Sequence, residues 1–271
     1  MVYTLYRAHG LHFKGKRIGL YVTKKALFFS ISIVIYSISF NLFSKKEIKV
    51  ALTIDQYKQK LKISSNKYIN QDYKKSIKQA KTYLFESKQK LSTSKEKVLF
   101  YQQSSIDLFT ILVDKIFPFW MQTNWDFNGY TNVPNKGNIA CGYLVSTTLK
   151  HIGFNLNRYK LAQQNPKNIL ATFSNPKVFL TLLDMQKFLN TQQNSLFLIG
   201  LDNHVGFVIR KNGKSLFYHS NYLEPSQVIL ENISSSPAIH ASSKYFISEL
   251  TNDKDLLKKW LTGVELKVVT K

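Results

Sequence analysis

Cysteine is nearly absent from this chain, with one in 271 residues. A lone thiol excludes an internal disulfide and a zinc cluster built from cysteines. It also leaves no cysteine just after the apolar N-terminal run for lipid attachment. Acidic residues are scarce, 16 against 38 lysines and arginines, so the net charge is +22. A surplus of that size suits an anionic partner: nucleic acid, lipid headgroups or an anionic cell-wall polymer. Nearly all of it is lysine. Arginine, whose fork grips phosphates and base edges, is rare, so nucleic acid is not the expected partner. An AT-rich coding bias, which also enriches Asn, Ile and Tyr, accounts for the same surplus without any partner. Glycine and proline are missing from Lys45 to Lys115, which removes the strongest helix breakers from that stretch.

What is present divides the chain. Residues 1–25 are basic with no acidic residue, and Ala26 to Phe43 is free of charge over about 18 residues, near the minimum for spanning a bilayer. A basic flank before an apolar run fits an uncleaved anchor with a cytoplasmic N-terminus, or a secretory signal. Either one places everything after Lys45 outside the cytoplasm, at the cell envelope and, with the anchor, on the membrane. Residues 44–116 read as a helical stalk or accessory region. One helix is predicted from Gln71 to Lys90. A capping-box spelling, Thr93-Ser94-Lys95-Glu96, opens a second through Val98, Leu99, Ile106, Phe109, Leu112, Val113 and Ile116, stopped by Pro118. The lysine-rich face of this region is read as solvated. Residues 117–271 form the remaining domain, and a hydrophobic share of 44 % supports a real core.

In that domain Pro118 to Gly137 reads as an aromatic loop, followed by a helix from Cys141 to Gly153. A short helix is expected over Asn157 to Gln164, and Asn175-Pro176 starts another to about Leu189. Strands are predicted at Leu196 to Leu201, Val205 to Arg210, Leu216 to Ser220, Val228 to Glu231 and Tyr245 to Leu250. Asn252 is expected to cap a helix from Asp253 to Leu261 with Gly263 as its stop, and Val264 to Val269 reads as a closing strand. Helices first and antiparallel strands after give an α+β class.

The chemistry lies in two places. Cys141, Leu144, Val145, Thr148, Leu149 and Ile152 fall on one helical face, with Cys141 in the first turn. There the free N–H groups and the macrodipole lower a thiol pKa; the alternative is a small buried hydrophobe. About sixty residues on, Asn212-Gly213 spells a type I′ turn. With those two residues as the loop, Lys211 pairs with Lys214, Val208 with Phe217, Gly206 with His219 and His204 with Asn221. His204, Gly206, His219 and Asn221 then share one sheet face, while Val205, Phe207 and Ile209 take the other and pack into the core. A catalytic imidazole needs an acceptor on its second nitrogen, and His219 and Asn221 are the two candidates. A Cys/His/His metal site lacks any close ligand pair, so no cofactor or metal is expected.

These residues resemble a family. Phe127-Asn128-Gly129, then Ala140-Cys141-Gly142-Tyr143-Leu144-Val145, then His204-Val205-Gly206-Phe207-Val208 and Phe217-Tyr218-His219-Ser220 look like the NlpC/P60 cell-wall peptidases. The resemblance covers roughly Trp125 to Asn221. It implies a papain-like α+β fold, a cysteine helix on an antiparallel sheet, with Cys141 as nucleophile, His204 as general base and His219 as the third polar residue. Where the family has Asp this chain has Ala140, and Gly142-Tyr143 replaces Ser-Gly. Phe127 stands near a site tyrosine of the family, with Tyr130 as a substitute. These departures bear on the family's usual substrate, a γ-D-glutamyl bond in peptidoglycan. The expectation is therefore an exported cysteine hydrolase acting on an amide bond, with cell-wall peptides the first substrate class. An inactive papain-like scaffold at the envelope and an acyltransferase on the same fold are the alternatives.

Overall fold

A computed structural model describes residues 69–93 and 97–270. The basic N-terminus, the apolar run 26–43 and Ser94 to Glu96 of the capping-box spelling lie outside the described residues. Among the described residues no helix is long and apolar enough to cross a membrane.

The chain opens with helices α1 (Ile69–Thr93) and α2 (Lys97–Thr110). The described residues from Ile69 onward fall in one compact unit. Tyr83 Oη donates to Asp107 at 2.8 Å, joining α1 to α2. Buried Tyr73 accepts from Trp120 Nε1 and meets His151 Nδ1, both at 2.8 Å. The second helix departs from its expected face. Val98, Leu99 and Ile106 are exposed, and Leu108, Leu112, Val113 and Ile116 are buried. A π-helical segment, Ile111–Ile116, explains the change: Phe117 N–H bonds Leu112 O, five residues back. The wider turn rotates the residues before it relative to those after it. Pro118 has no N–H to bond the preceding turn, yet the chain stays helical past it as α3 (Phe117–Trp120), with Pro118 in the first turn.

Five further helices and six strands come before the C-terminal helix, itself α9. They are α4 (Cys141–His151), α5 (Arg158–Ala162), α6 (Pro166–Ala171), β1 (Lys177–Phe179), α7 (Leu182–Thr191), β2 (Ser195–Gly200), β3 (Val205–Lys211), β4 (Lys214–Ser220), β5 (Val228–Asn232), α8 (Pro237–His240), β6 (Tyr245–Glu249) and α9 (Lys254–Thr262). The strands form one antiparallel sheet in the order β1-β6-β2-β3-β4-β5. This is the expected α+β class.

Both sheet faces are covered, not only the face of Val205, Phe207 and Ile209. Helix α4 packs on β3 and β4, and Phe117 stacks on Tyr218 with ring centres 4.1 Å apart. On the opposite face Phe197, Ile199, Val208, Phe217 and Ile247 build a core with Met185 and Leu189 of α7 and Ile239 of α8. The histidines therefore share a face with buried apolar residues.

Three predicted elements differ. Asn175-Pro176 does not start a helix; Lys177–Phe179 pairs with β6, Val178 opposite Phe246. Branched and aromatic side chains beside an open sheet edge favour the strand. Helix α7 starts after Thr181, whose hydroxyl accepts from Asp184 N at 3.1 Å while donating to the Asp184 carboxylate at 2.7 Å. Helix α9 is capped by Asp253, one residue after Asn252, and Gly263 ends it at φ 72°. The stretch Val264 to Val269 is no strand and makes a single bridge, Leu156 to Leu266. Helices α6 and α8, capped by Asn165 and Ser236 with proline next, were not anticipated.

Candidate active site

The cysteine helix begins abruptly. Ala140 is extended (φ −79°, ψ 161°) and gives the helix no side-chain cap. Leu144, Val145, Thr148, Leu149 and Ile152 are all buried, as the stripe requires, and Cys141 at its head is half-buried. The approach to the helix is pinned to β4: Ser220 Oγ donates to Ile139 O at 2.7 Å. Ser220 comes directly after His219, so this bond ties the strand of the second histidine to the segment before the thiol. Gly142 is required by packing, because a Cβ there would stand 2.4 Å from Ala162 O. A serine, which the resembled family carries here, has no room against α5.

The hairpin keeps the predicted register. Asn212 and Gly213 take φ 52° and 76°, as a type I′ turn demands. Lys211 faces Lys214, Arg210 faces Ser215 and Val208 faces Phe217. Gly206 is a second position where only glycine fits: a Cβ would lie 2.7 Å from the Phe217 ring and 2.8 Å from His219 Cβ and Tyr218 O. With that space open, His204 Nε2 and His219 Nδ1 meet at 2.8 Å, their rings nearly perpendicular at 84°. His219 is fully buried and lies flat on Phe217, ring centres 3.9 Å apart.

Asn221 is placed elsewhere. Its Nδ2 donates to Leu223 O and Pro225 O at 2.9 and 3.3 Å, and its Oδ1 accepts from Leu223 N at 3.2 Å. It braces the loop after β4. The residue that reaches the histidines is Glu231 on β5, whose Oε1 lies 3.0 Å from His219 Nε2. The pairing His219 to Ile229 puts Glu231 one step diagonally along the same face. A lone carboxylate in an apolar strand was the available signal. The connection 221–227 has no two-residue turn to fix the register of β5, so the contact was not readable.

The electrostatics run against the expected lowered thiol. Burial pushes the Cys141 thiol up; the N–H groups of Val205, Gly142 and Cys141 itself pull it down, and burial wins. Burial and the neighbouring His219 hold His204 well below the usual histidine value. Burial also lowers His219, against the opposing pull of Glu231. For Glu231, burial pushes up, but hydrogen bonds with His219 and Ser236 leave it below the ordinary carboxylate value.

Cys141 and His204 line one cleft of about 830 Å³, together with Trp125, Phe127, Tyr143 and Tyr222. Phe127 is almost fully exposed at the rim. Tyr130 lines a neighbouring cavity of about 550 Å³ around Arg158 instead. The Arg158 guanidinium is buried, bonded to Thr147 Oγ1 at 2.6 Å and to Thr131 O at 2.9 Å, with Tyr143 and Tyr159 each 5.0 Å from its charge. Among the described residues no group of three His, Cys, Asp or Glu side chains is arranged to hold a metal ion.

Comparison with protein-family models, with curated proteins and with solved structures matches nothing to this chain. A thiol, an imidazole and a second imidazole bonded to the first are the parts needed for acyl transfer through a cysteine.

Proposed function

We propose that this protein is a cysteine hydrolase that cleaves an amide bond, with peptides of the cell wall as substrate. The observation that carries the reading is the shared cleft: the Cys141 thiol and the His204 ring line it together, and His219 holds that ring at 2.8 Å. Thiol at a helix start, imidazole at a strand start and polar partner on the next strand is the arrangement that a papain-like, NlpC/P60-type site requires. The apolar run 26–43 supports export, with the enzyme anchored at the membrane and facing away from the cytoplasm.

With the thiol raised and His204 lowered, the resting pair is neutral thiol and neutral imidazole. His204 takes the proton from Sγ as sulfur attacks the carbonyl carbon, so no standing thiolate is needed. The oxyanion forms near the start of α4, where the Cys141 N–H can donate to it. Imidazolium then returns the proton to the leaving amine, and water, activated by the same ring, hydrolyses the thioester. His219 keeps the ring in place throughout.

Mass spectrometry of purified cell-wall fragments tests this after incubation with the full-length chain or with Cys141→Ala. New peptide termini are expected with the wild type alone; identical spectra would overturn the reading. The raised thiol is the observation that favours the second reading, an inactive binding protein on the same fold. In that case the fragments would be retained by the protein but left uncut.

A further inference from the structure

We propose that Glu231 is a positioning residue that sets the tautomers of both histidines, so that His204 offers an unprotonated Nδ1 to the cleft. An ionised carboxylate can only accept, so the 3.0 Å contact requires a proton on His219 Nε2. A neutral His219 then has a bare lone pair on Nδ1. That atom lies 2.8 Å from His204 Nε2, so His204 must donate there, which empties its Nδ1.

The His204–His219 bond alone does not make this choice. It is satisfied equally well if His219 Nδ1–H donates to His204 Nε2. That arrangement puts the His204 proton on Nδ1, where the ring can accept nothing from a thiol. The two arrangements differ at the far end of the line, where the second would set a bare His219 Nε2 against the carboxylate. His219 is fully buried and stacked on Phe217, so neither water nor ring rotation relieves that clash. Glu231 thus acts on His204 through His219, two hydrogen bonds away.

The reversal has a trigger in acid. A second proton on His219 forces a proton onto its Nδ1 and flips the bond to His204; protonation of Glu231, which can then donate to His219 as well as accept, permits the same flip. The ionisable groups facing this line are His204 at the head of β3, Cys141 on α4 and Tyr222 after β4, both lining the cleft with His204, and Glu231 on β5; Tyr222 meets the His204 ring with centres 5.2 Å apart, and the segment before α8 adds the Ser236 hydroxyl. The importance of the tautomer for turnover rests on the hydrolase reading; the tautomer itself does not.

Nitrogen-15 NMR of histidine-labelled protein at a pH of about 7.5, above the ordinary histidine value of about 6.5, reads it directly. In the wild type, His204 is expected to carry its proton on Nε2. Glu231→Leu should convert His204 to a mixture and slow alkylation of Cys141 by iodoacetamide by about 2-fold, as the competent tautomer falls to about half. Glu231→Gln, whose amide can donate to His219 Nε2 as well as accept from it, should also give a mixture, because only a group without a donor excludes the other tautomer. A wild-type proton on Nδ1 overturns the proposal, as does an unchanged tautomer in a folded Glu231→Leu variant. The expected tautomers in a protein that cuts no cell-wall fragment would leave this assignment standing and remove the hydrolase reading.

Discussion

At the scale of single residues, the two candidates left open by the sequence are now separated by geometry. His219 bonds to His204, and Asn221 bonds to its own loop. In an active enzyme His219→Ala should lower kcat by on the order of 100-fold, since it frees the base and its tautomer. Asn221→Ala should cost little kcat and show its effect in thermal melting instead. A larger kcat loss for Asn221→Ala would reassign the orienting role. Cys141, Gly206 and His219 were legible because a 3.6-residue stripe and a two-residue turn each fix positions by local rules. Glu231 was not, because a seven-residue connection leaves the register of the next strand to tertiary packing.

Elements were readable wherever start and stop signals agreed with their surroundings. Asn212-Gly213 gave a hairpin in the right register, and Gly263 ended α9 as foreseen. The signal failed at Asn175-Pro176, where an open edge of β6 captured Val178 and a competing cap at Thr181 stood six residues on. It failed again in α2, because a π-helical turn adds a residue that periodicity does not show. The hairpin yields a paired prediction. Gly206→Ala drives a methyl into the Phe217 ring and Tyr218 O and should cost about 1–3 kcal/mol in urea denaturation. Gly213→Ala meets nothing within 4 Å, so only its left-handed backbone resists, at about 1–2 kcal/mol. The variants should differ in thiol alkylation: Gly206→Ala displaces His219, and Gly213→Ala leaves the cleft unchanged. Equal alkylation in both would show that the space at Gly206 does not matter to the site.

For the whole molecule, three histidines are held uncharged. His151 is lowered to about 4, chiefly by burial and then by the charge of Arg158, and His204 and His219 are lowered by burial. Each binds a proton more readily when unfolded, at about 6.5. Their contribution to stability is therefore complete above that value and is lost as pH falls below it, toward the folded values. His151 alone accounts for up to about 3 kcal/mol between pH 6.5 and 4. Urea midpoints should fall steadily from pH 7.5 to 5, before most carboxylates titrate. A flat profile would show that these rings are hydrated. The effect reaches the N-terminal helices, since Tyr73 of α1 bonds His151 at the end of the cysteine helix. That buried contact, not readable from the lysine-rich composition of α1, joins a region expected to be a stalk to the sheet domain.

The order of the strands carries one more consequence. His204, His219 and Glu231 run across β3, β4 and β5, perpendicular to the chain direction, and β5 is the last strand of the sheet. Residues 122–125 bond its leading end, up to Val228, but among the described residues no strand flanks it at Glu231. The carboxylate at the end of this buried histidine line thus hangs from the margin of the fold, where backbone hydrogen bonds open most readily. Under the proposed hydrolase reading, fraying of a few residues there would disarm His204 while the core stays intact, and deuterium uptake at residues 229–232 would gauge how often that happens.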